Sequence, residues 1–157
     1  MTPSKELLDR ILAEEAELIF DRFDEDDAWR LGNLIVEEAR RRKAPVAIDI
    51  RRPAQVLFHC ALPGAAPDNE EWIRRKANLA FRMGRSSFSV GLNLALTKAT
   101  LEDKHYISSL EFSAHGGAVP IRVAHVGIVA CAVVSGLPQE EDHALVVACL
   151  KKMQGKD

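Results

Sequence analysis

The sequence predicts an α/β (α+β) domain of three layers, with roughly five strands in one sheet and helices on both of its faces. Three observations carry this. Residues 126–134 are almost continuously apolar and β-forming, with both strand faces apolar, which marks a central strand covered from both sides. Two strand-like runs, 46–51 and 55–60, flank a Pro-containing turn and introduce antiparallel pairing. Helical periodicities surround them, giving the order helix, strand, helix, two strands, two helices, two strands, helix.

Residues 5–17 place Leu7, Leu8, Ile11, Leu12 and Ala16 on a wide apolar helical face, which can pack on the domain or on a neighbouring subunit. We read 1–16 as an amino-terminal helical extension and 17–157 as the domain proper. Residues 17–20 are a short first strand. Asp24 is placed to cap a helix over 25–42, and Asp27, three residues on, stands where a capping box has Glu or Gln. That helix turns Ala28, Leu31, Leu34, Ile35 and Ala39 inward, and its cationic end and Pro45 stop it.

If the next two strands form a hairpin with Ile50 opposite Val56, then Val46, Ile48 and Ile50 share a face with Val56, Phe58 and Cys60. Asp49 and His59 then fall together on the other face. A loop over 63–69 offers Asp68 or Asn69 as a cap for a helix over 70–83, in which Ile73 or Trp72, Lys76, Leu79, Ala80 and Met83 lie near one stripe. Gly84 breaks this helix and Ser86 caps another running to Leu96. Residues 98–109 give no clear pattern. A loop containing His115-Gly116-Gly117 leads into a strand over 119–123, and the central strand follows. A last helix begins at Pro138 and buries Leu145, Val146, Cys149 and Leu150.

A chain of 157 residues suits one domain, and 47% hydrophobic with 28% charged residues argues against disorder. The net charge of -2 gives no general attraction to nucleic acid or to an anionic membrane. The isolated Cys60, Cys131 and Cys149 read as buried free thiols of a reducing compartment. No secretory signal and no membrane-spanning run is visible, so a cytoplasmic location is expected.

Several residues are candidates for chemistry. His59 beside Asp49 can be a general base held in one tautomer, or a structural histidine. Arg51 and Arg52 can bind an anion at their turn or stand exposed. Arg74, Arg75 and Lys76 put three cations in one turn, which with Arg82 and Arg85 suggests a positive flank for carboxylate or phosphate, against a solvated helix surface. His115-Gly116-Gly117 can offer an imidazole and backbone N–H groups at close approach, or be a mobile loop. His105, His125 and His143 have less context, and His143 reads as a surface or helix-start residue.

No metal-ligand spacing, phosphate-binding loop, dinucleotide fingerprint or nucleophile elbow is present in the sequence. Noncovalent haem remains compatible, needing an apolar slot, cations for its propionates and an axial ligand.

The segments Phe23-Asp24-Glu25-Asp26-Asp27-Ala28-Trp29, Asp49-Ile50-Arg51-Arg52, Arg74-Arg75-Lys76, Gly116-Gly117-Ala118-Val119-Pro120-Ile121, Val134-Ser135-Gly136-Leu137-Pro138 and Asp142-His143 occur in order. Together they resemble an uncharacterised bacterial and fungal protein family related to the haem-degrading, GlcG-like domain proteins. The likeness implies a profilin-like fold with a five-stranded antiparallel sheet, in homo-oligomers built from dimers. It makes haem or another anionic small molecule the expected ligand, with His59, Arg51, Arg74, Arg75, Lys76, His115, Gly116 and Gly117 as ligand-binding candidates and no catalytic residue assigned. A non-catalytic scaffold and an enzyme acting on a hydroxy acid are the alternatives.

Overall fold

The structure is a computed structural model, and it describes residues 2–155. Met1, Lys156 and Asp157, at the ends of the expected extension and domain, lie outside the described residues. The elements run α1 (Lys5–Ala16), β1 (Ile19–Phe20), α2 (Glu25–Arg41), β2 (Ala47–Arg52), β3 (Gln55–Ala61), α3 (Asp68–Met83), α4 (Ser87–Thr97), α5 (Leu101–His105), β4 (Ala118–Val123), β5 (Gly127–Ser135) and α6 (Gln139–Met153).

The five strands form one sheet in the order β1-β4-β5-β2-β3. The two-sided apolar strand is therefore in the middle. Along β5, Ala130, Ala132 and Val134 face a core shared with α2 and α6. Cys131 and Val133 face the opposite way, onto Ile73, Ala77 and Ala80 of α3. Strict alternation with both faces covered is what an uninterrupted apolar run requires.

The sheet is not wholly antiparallel, as the family resemblance implied. Three pairings are antiparallel, but β1 runs parallel to β4, with Ile19 beside Arg122 and Phe20 beside Val123. Most of the chain intervenes between these strands, so no tight turn dictates their direction.

The hairpin register also differs from expectation. Ile50 lies opposite Phe58, and Arg51 opposite Val56, so Leu57 is an extra residue in β3. A bulge of this kind kinks the edge strand without moving the partners before it. Asp49 sits directly opposite His59.

Local chemistry explains the helix limits. Asp24 accepts the Asp27 N–H while the Asp27 carboxylate accepts the Asp24 N–H, closing the capping box at a typical value of about 1 kcal/mol. Leu31 and Ile35 of the same helix are fully buried, each contributing roughly 2 kcal/mol of transfer free energy. Ser86 caps α4 by accepting the Ser89 N–H, after Gly84 ends α3 in the left-handed region. α3 begins differently from expectation: Pro67 is its N-cap, and neither Asp68 nor Asn69 caps it, because the Asn69 side chain turns back to accept the Ala66 N–H.

α1 packs on α4 through Leu7, Leu8, Ile11, Phe88 and Leu92. A buried carboxylate reinforces the contact: Glu15 accepts from both the N–H and the hydroxyl of Ser86, at 2.6 and 2.7 Å. Cys131 and Cys149 are buried free thiols and Cys60 is half-buried. Among the described residues no helix is long and apolar enough to cross a membrane.

Candidate functional site

The candidate residues divide between two places on the α3 side of the sheet. At its open edge, Asp49 is wholly buried in β2 and takes two bonds from Arg51, at 2.6 and 2.9 Å. Its Oδ2 also meets His59 Nδ1 at 2.9 Å, and His59 Nε2 meets Glu70 of α3 at 3.0 Å. Both imidazole nitrogens are thus engaged. This cluster ties β2, β3 and α3 together and leaves no ring nitrogen for a substrate proton or an axial bond.

The second place is the start of α6 and the loop before β4. The three neighbouring cations of α3, expected on one flank, separate here. Arg74 bonds Glu71 and Glu111 on the surface. Arg75 stacks over the Trp72 ring, its guanidinium carbon 4.4 Å from the centroid, and donates to the Ser109 carbonyl. Lys76 turns inward and is only 3% exposed. The 100° step of a helix requires this: Lys76 follows Ile73 and precedes Ala80 on the buried stripe.

Burial of Lys76 is compensated by Asp142, 3.2 Å away, and by the Val134 carbonyl, also at 3.2 Å. Asp142 accepts further bonds from the Gly136 and Leu137 N–H groups. Desolvation still pushes the Asp142 carboxyl up to about 6 and draws the Lys76 ammonium below its usual range. A side chain at Gly117 would lie 2.3 Å from the Val134 carbonyl and 2.8 Å from Lys76 Nζ, and its φ is +137°. Only glycine lets the chain pass this close. At Gly116 a Cβ would stand 2.4 Å from the Gln139 carbonyl, while its N–H donates to the Gln139 side chain. The two glycines therefore lodge the loop against β5 and α6.

His115 is carried at the tip of this wedged loop. Its ring meets Trp72 edge-on, with centroids 4.9 Å apart, and its Nδ1 lies 3.2 Å from the Ser113 hydroxyl. Nε2 has no hydrogen-bond partner among the described residues. Desolvation, then the charges of Lys76 and Arg75, lower its pKa and favour the neutral ring.

Two cavities adjoin at His115, sharing Trp72, His115 and Gln139 as a common wall. The larger holds about 490 Å³ and is walled by Phe88, Leu92, Leu101 and Phe112, with Arg75 at its side. The smaller, about 240 Å³, reaches Lys76 and Asp142. The larger lies in the range of clefts that take small molecules, about 300–1,000 Å³.

Of the predicted site residues, Arg75, Lys76 and His115 line these cavities, Gly116 and Gly117 hold the loop, and His59, Arg51 and Arg74 are engaged elsewhere. Sequence reasoning missed Trp72, Ser113, Gln139 and Asp142. A Trp three residues before an Arg on one helix, and a Lys on an apolar stripe, were the available signals. His143, read as a surface or helix-start residue, lies near the start of α6 but not on the surface: it is 3% exposed and tilted against Phe88 at 4.9 Å between ring centroids. Among the described residues no group of three or more His, Cys, Asp or Glu side chains is placed to hold a metal ion.

Comparison with known proteins adds to this geometry. A UPF0303 protein of Streptomyces coelicolor is 50% identical over 143 residues, which cover 91% of this chain and 90% of the relative. The crystal structure of Ybr137w protein superimposes with a TM-score of 0.90 at 36% identity, covering 97% of this chain and 90% of that one. The PduOC:Heme complex shares the fold, with a TM-score of 0.67 at 20% identity over 81% of this chain and 94% of that one. The family described as haem degrading protein HbpS-like matches residues 23–151, and this chain belongs to it.

Proposed function

We propose that the protein binds a flat anionic ring molecule, haem above all, in the cavity beside Arg75 and His115. The observation that carries this is His115: a neutral imidazole with Nδ1 at the Ser113 hydroxyl and Nε2 unpartnered among the described residues, on the wall shared by two cavities, one bordered by Phe88, Leu92 and Phe112 and the other reaching Lys76 and Asp142. The donor set suits haem. His115 would hold the iron, Arg75 would pair with a propionate, and Phe88, Leu92 and Phe112 would cover the ring face. Bound haem supplies oxygen and redox chemistry at its iron. The chain's own contribution is to fix the imidazole through Ser113 and Trp72, to exclude water with the apolar wall, and to place a cation through the Trp72–Arg75 stack. The family's description and the ligand named in the PduOC:Heme complex support the same reading.

Titration of the full-length protein with hemin tests it. A saturable Soret band is expected, lost or shifted in His115→Ala and weakened roughly tenfold in Arg75→Ala. Absence of saturable change in the wild type overturns the reading, as does an identical titration in both variants.

A second reading concerns assembly. Trp29 is 64% exposed on α2 and meets Phe58 of the edge strand edge-on, with centroids 5.8 Å apart. An exposed Trp beside an open sheet edge favours a homo-oligomer formed across this side. Light scattering at micromolar concentration tests it: a larger species for the wild type and monomer for Trp29→Arg are expected, and monomer for both overturns it.

A further inference from the structure

A third cavity lies away from Arg75 and His115, between α1 and α6, and holds about 570 Å³. Its inner wall is made by the buried Leu7, Ile11, Phe88 and Val147. Phe88 also borders the His115 cavity and so stands between the two.

The inner wall carries one polar side chain, His143, and neither of its ring nitrogens has a hydrogen-bond partner. A buried imidazole without partners is costly, because a donor and an acceptor have both given up water. Phenylalanine would fill similar space at no such cost. Phe88 packs against its ring, and Leu7, Ile11 and Glu14 of α1 line the same cavity.

The outer wall is charged. Arg10, Lys151 and Lys152 face Glu14 and Glu140 around the opening. Lys151 and Glu14 pair with each other at 2.6 Å. Arg10 and Lys152 are exposed and have no ion-pair partner among the described residues, so the opening favours an anion.

From these observations together we propose that the α1–α6 groove is a separate binding site for an aliphatic carboxylate whose far end carries a hydroxyl or carbonyl oxygen. The carboxylate pairs with Arg10 and Lys152, the chain lies on Leu7, Ile11 and Val147, and the distal oxygen pairs with His143 once its ring turns to bring a nitrogen, buried in the unliganded fold, to the cavity wall. Each class of wall then has a matching part of the ligand. The site does not depend on the haem reading.

Calorimetric titration of the full-length protein with ω-hydroxydecanoate, and with decanoate as its counterpart lacking the hydroxyl, tests the assignment. Wild type is expected to bind ω-hydroxydecanoate saturably and roughly tenfold more tightly than decanoate. In His143→Phe that preference disappears while the melting temperature rises, so lost discrimination is not explained by unfolding. Arg10→Ala with Lys152→Ala weakens both ligands about equally, by roughly tenfold or more. The hemin titration of His143→Phe stays as in wild type, which separates this site from the other. Absence of saturable binding to the wild type, or an undiminished preference in His143→Phe, overturns the proposal.

Discussion

His59 and His143 lie at opposite extremes of one property. His59 sits at a sheet edge with one nitrogen on Asp49 and the other on Glu70, while His143 is buried deep in the domain with neither nitrogen bonded. By position alone, the exposed ring looks available and the buried one structural. Hydrogen-bond accounting reverses this. A polar group whose capacity is filled by its own fold is held for architecture, and one left unfilled in a cavity wall has capacity to spend on something else. Lys76 with Asp142 belongs with His59, since nearly all of that pair's bonding is internal.

The contrast breaks most visibly at Lys76. Lys76→Met leaves Asp142 buried without its cation, and a loss of about 3–5 kcal/mol is expected in urea unfolding. A loss below about 1 kcal/mol would mean that the pair is not part of the filled class.

The pH dependence comes next in size. Burial draws the His143 pKa down to about 4, from 6.5. As pH falls through 6.5 the unfolded chain takes up a proton that the folded chain refuses until about 4, so stability falls with pH across that window. The shift corresponds to about 3 kcal/mol. Asp142 acts in the opposite direction: its raised pKa means the folded chain takes up a proton first, below about 6. Subtracting the profile of His143→Phe isolates the histidine, and a difference that is flat between pH 6.5 and 4 would place that ring among the satisfied groups.

Asp49→Ala is the smallest of the three. It removes a buried acceptor from Arg51 and His59, which are part-exposed and recover water, so about 2 kcal/mol is expected by thermal unfolding. A loss as large as that of Lys76→Met would show the edge cluster to be as deeply committed as the inner pair.

What could be read from the sequence was what neighbours decide. The Asp24–Asp27 capping box, the Gly84–Ser86 junction and the placing of Asp49 with His59 depend on short spacing. The centrality of β5 followed from its having no polar face. The direction of β1 could not be read, because a two-residue strand carries no directional pattern. The bulge at Leu57 leaves no mark in the local apolar pattern, and Lys76 finds its partner 66 positions away. The burial of His143 involves Phe88 of α4, far away along the chain. Three adjacent cations are adjacent only along the chain, and the helix sends them to a surface network, an aromatic stack and a core.

The wedging of Gly116 and Gly117 against Gln139, Val134 and Lys76 has a kinetic consequence. A loop with its backbone lodged on two sides has little conformational search left to make, so His115 is held in place and, on the reading proposed above, little chain entropy would be lost when a guest arrives. Arrival is then a single encounter, with an observed rate that climbs linearly with guest concentration instead of levelling off at a slow rearrangement. The tightness that bars every larger residue from position 117 is thus also what would make the imidazole of the proposed site quick to capture.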